Sequence, residues 1–347
     1  MADTLENRHT TLVWANAFLA PCHNNCRHCY VQARPKEFMD ADEYIQTCRK
    51  LHAFCAKPEE KITRYVVNPF MDYLDHPDIA RIVHSVRGTS ASLPIVPTDT
   101  YRIAKDKNWK KLIDDLKAAG TREIHTTLYG LQDTHDWFAR RKGAFEDLAS
   151  GVGRLTEQGL SVKLRILLHK KNLAEIERLR QWVDHVTGRQ AIIDYFIFAM
   201  EGSGKKNQHL RLEEPDLRLL PEDVQSALRV RYKTERDWLD EVRTGKWSFE
   251  AQQGRRVLAI DIFPNLDVRG GVSSHGVDDL LLGNLRTENF ADIFAAYREH
   301  LLPSIIEQEE RDKKFLQEIT SITSKFGVPA DNRLYSKQET VEKWERP

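Results

Sequence analysis

Three of the chain's five cysteines fall within eight residues, in the run Pro21-Cys22-His23-Asn24-Asn25-Cys26-Arg27-His28-Cys29-Tyr30. The spacing is C-x3-C-x2-C. A loop this tight can present three thiolates to one centre, and soft thiolates select zinc or iron–sulfur clusters. A cubane of four irons held by Cys22, Cys26 and Cys29 leaves one iron open to a ligand with a free amine and carboxylate, which is a catalytic arrangement. A structural zinc site instead needs four closed ligands, and His23 or His28 would have to supply the fourth. The other two cysteines, Cys48 and Cys55, are seven apart on one expected helix. They read as small hydrophobes packed on a sheet.

The elements that must position this loop follow a repeating pattern. Apolar, β-branched runs at residues 11–19, 63–68, 93–97, 123–128, 161–168 and 191–198 have strand length and composition. Between them lie helical patterns at 40–55, 77–87, 105–119, 137–158 and 173–186, two of which stop at Gly120 and Gly159. Strands alternating with helices imply parallel pairing through right-handed crossovers, with chemistry at the C-terminal strand ends. Six units are too few for an eight-fold closed barrel. The expectation is an α/β fold, a partial (β/α)6 parallel barrel over residues 1–205. A smaller α+β C-terminal extension and helical tail follows over 206–347. There the rhythm changes to a loop at 201–207, charged helices at 213–243, a strand at 257–263, a Gly-rich stretch and a long charged helix at 303–326. Gly202-Ser203-Gly204-Lys205-Lys206 lacks phosphate-loop spacing and reads as a turn.

The C-x3-C-x2-C loop directly after the first strand of such a series resembles the radical S-adenosylmethionine (radical SAM) superfamily. The resemblance implies one [4Fe–4S] cluster on Cys22, Cys26 and Cys29, with S-adenosyl-L-methionine on the open iron. It also implies reductive cleavage to a 5′-deoxyadenosyl radical that takes hydrogen from a substrate. His28 stands where relatives place an aromatic or apolar residue against the adenine. Asn68-Pro69-Phe70 replaces the Gly-Gly-Glu segment whose backbone meets the methionine amine, and His76-Pro77-Asp78 follows. Thr127 matches a position that touches the cofactor's carboxylate or ribose. Within His135-Asp136…Arg140-Arg141-Lys142-Gly143-Ala144-Phe145, Arg141 is the candidate for the methionine carboxylate. Arg165, a charge in mid-strand, is a second. The C-terminal region resembles a twitch or SPASM extension, but no cysteine lies beyond Cys55, so a single cluster and a substrate lid are expected. Asp99, Tyr129, His169, Tyr195, Glu201 and Arg269 are weak candidates for substrate contacts at strand ends.

Composition limits the function classes. The chain has 347 residues, with 52 Lys+Arg against 52 Asp+Glu. Zero formal net charge argues against a non-specific nucleic-acid or anionic-membrane binder. No apolar run approaches the ~20 residues of a membrane span, and the polar N-terminus has no signal-peptide core. The expectation is a cytoplasmic enzyme without nucleic-acid or membrane partners, served by an electron donor such as flavodoxin or ferredoxin. Its substrate is read as a small polar metabolite or natural-product intermediate undergoing dehydrogenation, epimerisation or rearrangement. A ribosomally made peptide is the alternative. With the first strand close to the N-terminus, no leader-binding or cobalamin domain is expected ahead of it, although a separate partner protein could supply the former. The reading from another class is a zinc-stabilised, non-catalytic binding protein.

Overall fold

The structure is a computed structural model that describes residues 10–29, 31, 35–70, 72–86, 95–197, 202–244, 246, 255–270, 279–307 and 325–327. The six repeating strands are β1 (Thr10–Phe18), β2 (Ile62–Phe70), β3 (Ile95–Pro97), β4 (Glu123–Leu128), β5 (Ser161–Leu168) and β6 (Ile192–Ile197). Beyond them come β7 (Lys233–Thr234), β8 (Arg255–Ile262), β9 (Asp267–Gly270), β10 (Leu280–Asn284) and β11 (Phe326–Gly327). Helices α1 (Ala41–Cys55), α2 (Ile79–Ser85), α3 (Tyr101–Lys105), α4 (Trp109–Ala118), α5 (Gln132–Ala139), α6 (Ala144–Glu157) and α7 (Ile176–Thr187) lie between the six strands. The fold is α/β with parallel-strand sheets. The six strands divide between two hydrogen-bonded sheets, one containing β1 and β2 and the other ordered β3-β4-β5-β6. Among the described residues no helix is long and apolar enough to cross a membrane.

Contacts group the chain into two compact units. One comprises Met1–Pro21, Ala33–Ser92 and Thr244–Lys314; the other comprises Cys22–Gln32, Leu93–Arg243 and Phe315–Pro347. This division is interleaved, unlike a single boundary near residue 205. In the first unit β8 pairs in parallel with β1, Leu12 opposite Val257 and Asn16 opposite Asp261. The 257–263 strand therefore extends the sheet of the first strand. The sheet order is β10-β9-β8-β1-β2. Asp40 caps α1 by accepting from the amides of Asp42 and Glu43, which satisfies donors that a helix start leaves orphaned. Cys48 and Cys55 are each 5% exposed on that helix. Burial pushes both thiols up to about 12, so they stay protonated hydrophobes.

In the second unit, parallel pairing aligns His125 with Lys163 and Thr127 with Arg165, then Arg165 with Asp194. Alternation puts Ile124, Leu128, Val162, Leu164 and Ile166 on one face, all buried, as are Leu148, Val152 and Leu155 of α6, which packs on β5. Each such side chain contributes about 1.5–3 kcal/mol by leaving water. Glu123, His125, Thr127, Lys163, Arg165 and Asp194 occupy the opposite, half-exposed face. Two helices read as continuous are broken. Residues 137–158 divide into α5 and α6, because Arg140 and Gly143 take positive φ and Asp136 accepts from the amides of Gly143 (2.6 Å) and Phe145 (2.8 Å). Residues 105–119 divide at Asp106, which accepts from the Asn108 amide at 2.7 Å. The turn expected at 202–206 is a 3-10 segment over Gly202–Leu210, kinked at Asn207. Of the helix expected at 303–326, residues 303–307 are helical, 308–324 lie outside the described residues, and Phe326 is in β11.

Candidate functional site

The cysteine loop sits on the end of α5. Asn25 N–H donates to Ala139 O and Arg27 N–H to Phe138 O, each at 3.0 Å. A helix leaves its last carbonyls without intrahelical partners, so the loop caps α5 and α5 in turn shapes the loop. Cys29 N–H closes back on Cys26 O at 3.1 Å. Arg27 Nε donates to Trp137 O (3.1 Å) with its guanidinium 3.9 Å from the Trp137 ring centroid. Asn207 Nδ2 donates to Arg27 O at 2.9 Å.

A second set of bonds holds the front of the loop through Asn24, which is buried. Its Nδ2 donates to Asp99 Oδ2 (3.0 Å), and its Oδ1 accepts from Arg141 Nε (2.7 Å). Arg141 Nη1 donates to Asp147 Oδ2 at 2.5 Å, and the other Asp147 oxygen pairs with Lys105 at 2.6 Å. Arg141 Nη2 is buried with no hydrogen-bond partner.

Beneath the loop, Cys26 (8% exposed) packs with Tyr129, Phe138, Ala139, Ala144, Leu167 and Leu210, while Cys29, Trp137 and Phe196 border this cluster. Tyr129 O–H donates to Cys26 Sγ at 3.5 Å. Burial, and after it the charge of Cys26, holds this phenol well above its ordinary range, so it remains a donor. Its backbone is fixed as well. The Tyr129 amide donates to His135 Nδ1 (3.2 Å), and its carbonyl accepts from Asn172 Nδ2 (3.0 Å) and His169 Nε2 (2.9 Å). Burial lowers His135 to about 3 and His169 to about 4, so both rings are neutral near pH 7.

The donor set fits a cluster better than a single ion. None of the three thiols is in a disulfide. Among the described residues they do not form a set whose ligand atoms all lie within 4.8 Å of one another, and neither His23 nor His28 completes one. A tetrahedral zinc would draw its ligand atoms to about 3.8 Å apart. Thiols that each bind their own iron need no such convergence.

The remaining candidates fall into three groups. Thr127 and Arg165 are register partners on the half-exposed face of β4 and β5, with Arg165 4.8 Å from the Phe196 ring. His28 lies 5.2 Å from the Tyr129 ring and 5.5 Å from Phe138. Asp99, Tyr129, His169 and Arg141 are tied into the scaffold by the bonds above, and His169 is fully buried. Tyr195 is the register partner of Ile166, on the face opposite Arg165, and burial raises its phenol to about 12. Glu201 lies outside the described residues. In the first unit Asn68, Pro69 and Phe70 end β2, and Arg269 on β9 pairs with Asp279 at 2.7 Å.

Sequence reasoning missed a polar row in the first unit. Asn68 Nδ2 donates to Asn16 Oδ1 (3.2 Å), and Asn16 Nδ2 donates to Asp261 Oδ1 (3.0 Å). The three are aligned across β2, β1 and β8. The available signal was a polar residue inside each apolar run, WANAF and AIDIF. It also missed Asn24 and Asn207, whose roles leave no mark in the spacing.

Residues 20–183 match the family model of the Radical SAM superfamily. The Fe-coproporphyrin III synthase of Methanosarcina barkeri is 25% identical over 193 residues, 56% of this chain and 46% of that protein. The match therefore spans less than half of that relative's length. Among solved structures, Streptococcus suis SuiB bound to precursor peptide SuiA gives a TM-score of 0.56 at 11% identity, covering 91% of this chain and 68% of that one. The anSMEcpe structure with bound AdoMet and Cp18Cys peptide gives 0.54 at 11% identity, covering 95% and 96%. These structural likenesses are likenesses of fold.

Proposed function

We propose that the protein is an enzyme of the radical SAM superfamily, whose family model matches residues 20–183, and that it takes hydrogen from a small polar metabolite or natural-product intermediate. Cys22, Cys26 and Cys29 would hold one [4Fe–4S] cluster. The count of one is supported by Cys48 and Cys55, the only other cysteines, being buried on α1. When bound, the cluster and S-adenosyl-L-methionine supply one-electron cleavage of the sulfonium and hence a 5′-deoxyadenosyl radical.

The chain's own residues position, shield and tune. Capping of α5 and the Asn24–Arg141–Asp147 bonds hold the loop in one geometry. The Phe138, Leu167 and Leu210 cluster keeps water from Cys26. Tyr129 O–H supplies a hydrogen bond to the Cys26 sulfur. We assign Thr127 and Arg165, together with Arg141 Nη2, to the methionine carboxylate and ribose. His28 offers its ring to the adenine. Dehydrogenation, epimerisation or rearrangement would follow hydrogen removal. We further assign residues 206–347 to an extension of the twitch or SPASM kind, in which β8 is part of the β1 sheet.

The observation that carries the substrate class is the half-exposed face of β4, β5 and β6. It bears Glu123, His125, Thr127, Lys163, Arg165 and Asp194 at two-residue spacing. Lys163 and Asp194 pair at 3.5 Å, which leaves Thr127 and Arg165 as a few placed polar groups of the kind that orient a small polar ligand. The relative's name, a synthase of Fe-coproporphyrin III, also denotes small-molecule chemistry. Anaerobic incubation of the reconstituted enzyme with reductant and deuterated candidates tests this. Deuterium should enter 5′-deoxyadenosine from a small polar substrate. Transfer only from a peptide would replace that reading with peptide modification. Loss of cofactor cleavage in the Cys22, Cys26 and Cys29 triple alanine variant is required by the cluster assignment.

A further inference from the structure

The second unit carries four cations on or next to the residues that hold the cysteine loop, two of them over Trp137 and a third, Arg140, close enough to act on Arg27. The Arg27 guanidinium lies 3.9 Å and the Lys171 ammonium 5.0 Å from the Trp137 ring centroid. Arg140 follows α5 and is exposed, as are Lys171 and Lys206. Lys206 adjoins Asn207, whose carboxamide holds the Arg27 carbonyl at 2.9 Å. Among the described residues no carboxylate forms an ion pair with Arg27, Arg140, Lys171 or Lys206. Lys170 differs, since Glu213 (3.0 Å) and Asp216 (3.6 Å) neutralise it. The acid nearest in sequence, Asp136, already accepts the Gly143 and Phe145 amides.

We propose that this surface docks an acidic, low-potential electron-carrier protein that reduces the cluster of the Cys22–Cys29 loop; the proposal rests on the radical SAM reading. The chain has no formal net charge, so unneutralised cations gathered on one surface are a local feature. Such a patch raises encounter rates with an oppositely charged partner by roughly 10–1,000-fold. Electron-transfer interfaces are small, under about 1,200 Å², which four cations and one tryptophan can anchor. Arg27 adjoins Cys26 in the chain, so a carrier seated on Trp137 lies next to the loop that holds the cluster. The carrier loses one electron, the cluster gains it, and no bond forms or breaks.

The test uses the cluster-loaded protein and a reduced flavodoxin under anaerobic conditions. Cluster reduction is followed by loss of visible absorbance, and affinity is measured separately with oxidised flavodoxin. The double variant Lys171→Glu/Lys206→Glu should slow flavodoxin-driven reduction and raise the flavodoxin Kd, each at least tenfold. Reduction by dithionite should be unchanged. Lys111→Glu, on α4, serves as a control that alters neither. An unchanged flavodoxin rate in the double variant would overturn the proposal, as would an equal loss with dithionite. A wild-type protein with no cluster reducible by dithionite would instead overturn the function on which it rests.

Discussion

The Tyr129 phenol donates a hydrogen bond to the Cys26 sulfur from a buried position. A bond of this kind stabilises added negative charge on a thiolate-bound cluster, and hydrogen bonds to sulfur are among the terms that set cluster potentials. Tyr129→Phe keeps the ring and removes the donor. The loss is about 1 kcal/mol, which corresponds to roughly 40 mV for one electron. The reduction potential of the variant, measured by redox titration with spectroscopic readout, should be more negative by that amount.

Arg141 links Asn24 to Asp147 by two directed bonds, a geometry that a lysine cannot reproduce. Arg141→Lys should therefore loosen the front of the loop while keeping the charge. The expected outcome is fewer irons per chain after reconstitution, read by iron and sulfide analysis. Midpoint stability of the apoprotein should fall by about 1–3 kcal/mol, since Asp147, at a 3% exposed site, loses a directed hydrogen bond while Lys105 stays paired with it.

Arg165 lies beside Thr127 without a carboxylate partner among the described residues. If it takes the cofactor's carboxylate, Arg165→Ala should weaken S-adenosyl-L-methionine binding about tenfold, or ~1.4 kcal/mol. Calorimetry on the cluster-loaded protein reads this directly. An unchanged affinity would remove Arg165 from the cofactor site.

Acid should destabilise the second unit through His135 and His169. Both rings are neutral when folded, lowered by burial to about 3 and about 4, against about 6.5 when unfolded. Below pH ~6.5 the unfolded chain therefore binds protons that the folded chain refuses. Their stabilising effect is complete above that pH and is lost on the way down to about pH 4. Each ring contributes a slope of about 1.4 kcal/mol per pH unit in that window. Urea unfolding at pH 7, 6 and 5 should show this limb, and His169→Gln should flatten it by about one proton's worth.

Gly130 marks a place where only hydrogen fits. Its φ is +150°, and a Cβ there would stand 2.5 Å from Thr134 Cγ2 and 2.7 Å from Glu175 Oε2. That Glu175 carboxylate accepts from the Leu131 amide (2.7 Å) and the Thr134 hydroxyl (2.6 Å), so it has little room to yield. Gly130→Ala should cost at least about 2 kcal/mol. Gly153→Ala, inside α6 with nothing within 4 Å, should gain up to about 1 kcal/mol. Thermal unfolding of the pair separates steric crowding from backbone entropy.

Local spacing and periodicity determined much of this protein. The C-x3-C-x2-C run, the six strands and the parallel α/β class were legible because they depend on neighbours in sequence and on alternation along one strand. The inertness of Cys48 and Cys55 was legible for the same reason, as both share a face of one helix. Tertiary structure alone decided which groups support the cysteines. Asn24, Arg141 and Asp147 are brought together across more than a hundred residues, and Asn207 reaches Arg27 across 180. It also decided that β8 joins β1 and that Asp261 meets Asn16, 245 residues apart. Such bonds form because a buried polar group must find a partner wherever the packed chain offers one. No spacing rule in a single sequence records where that partner comes from.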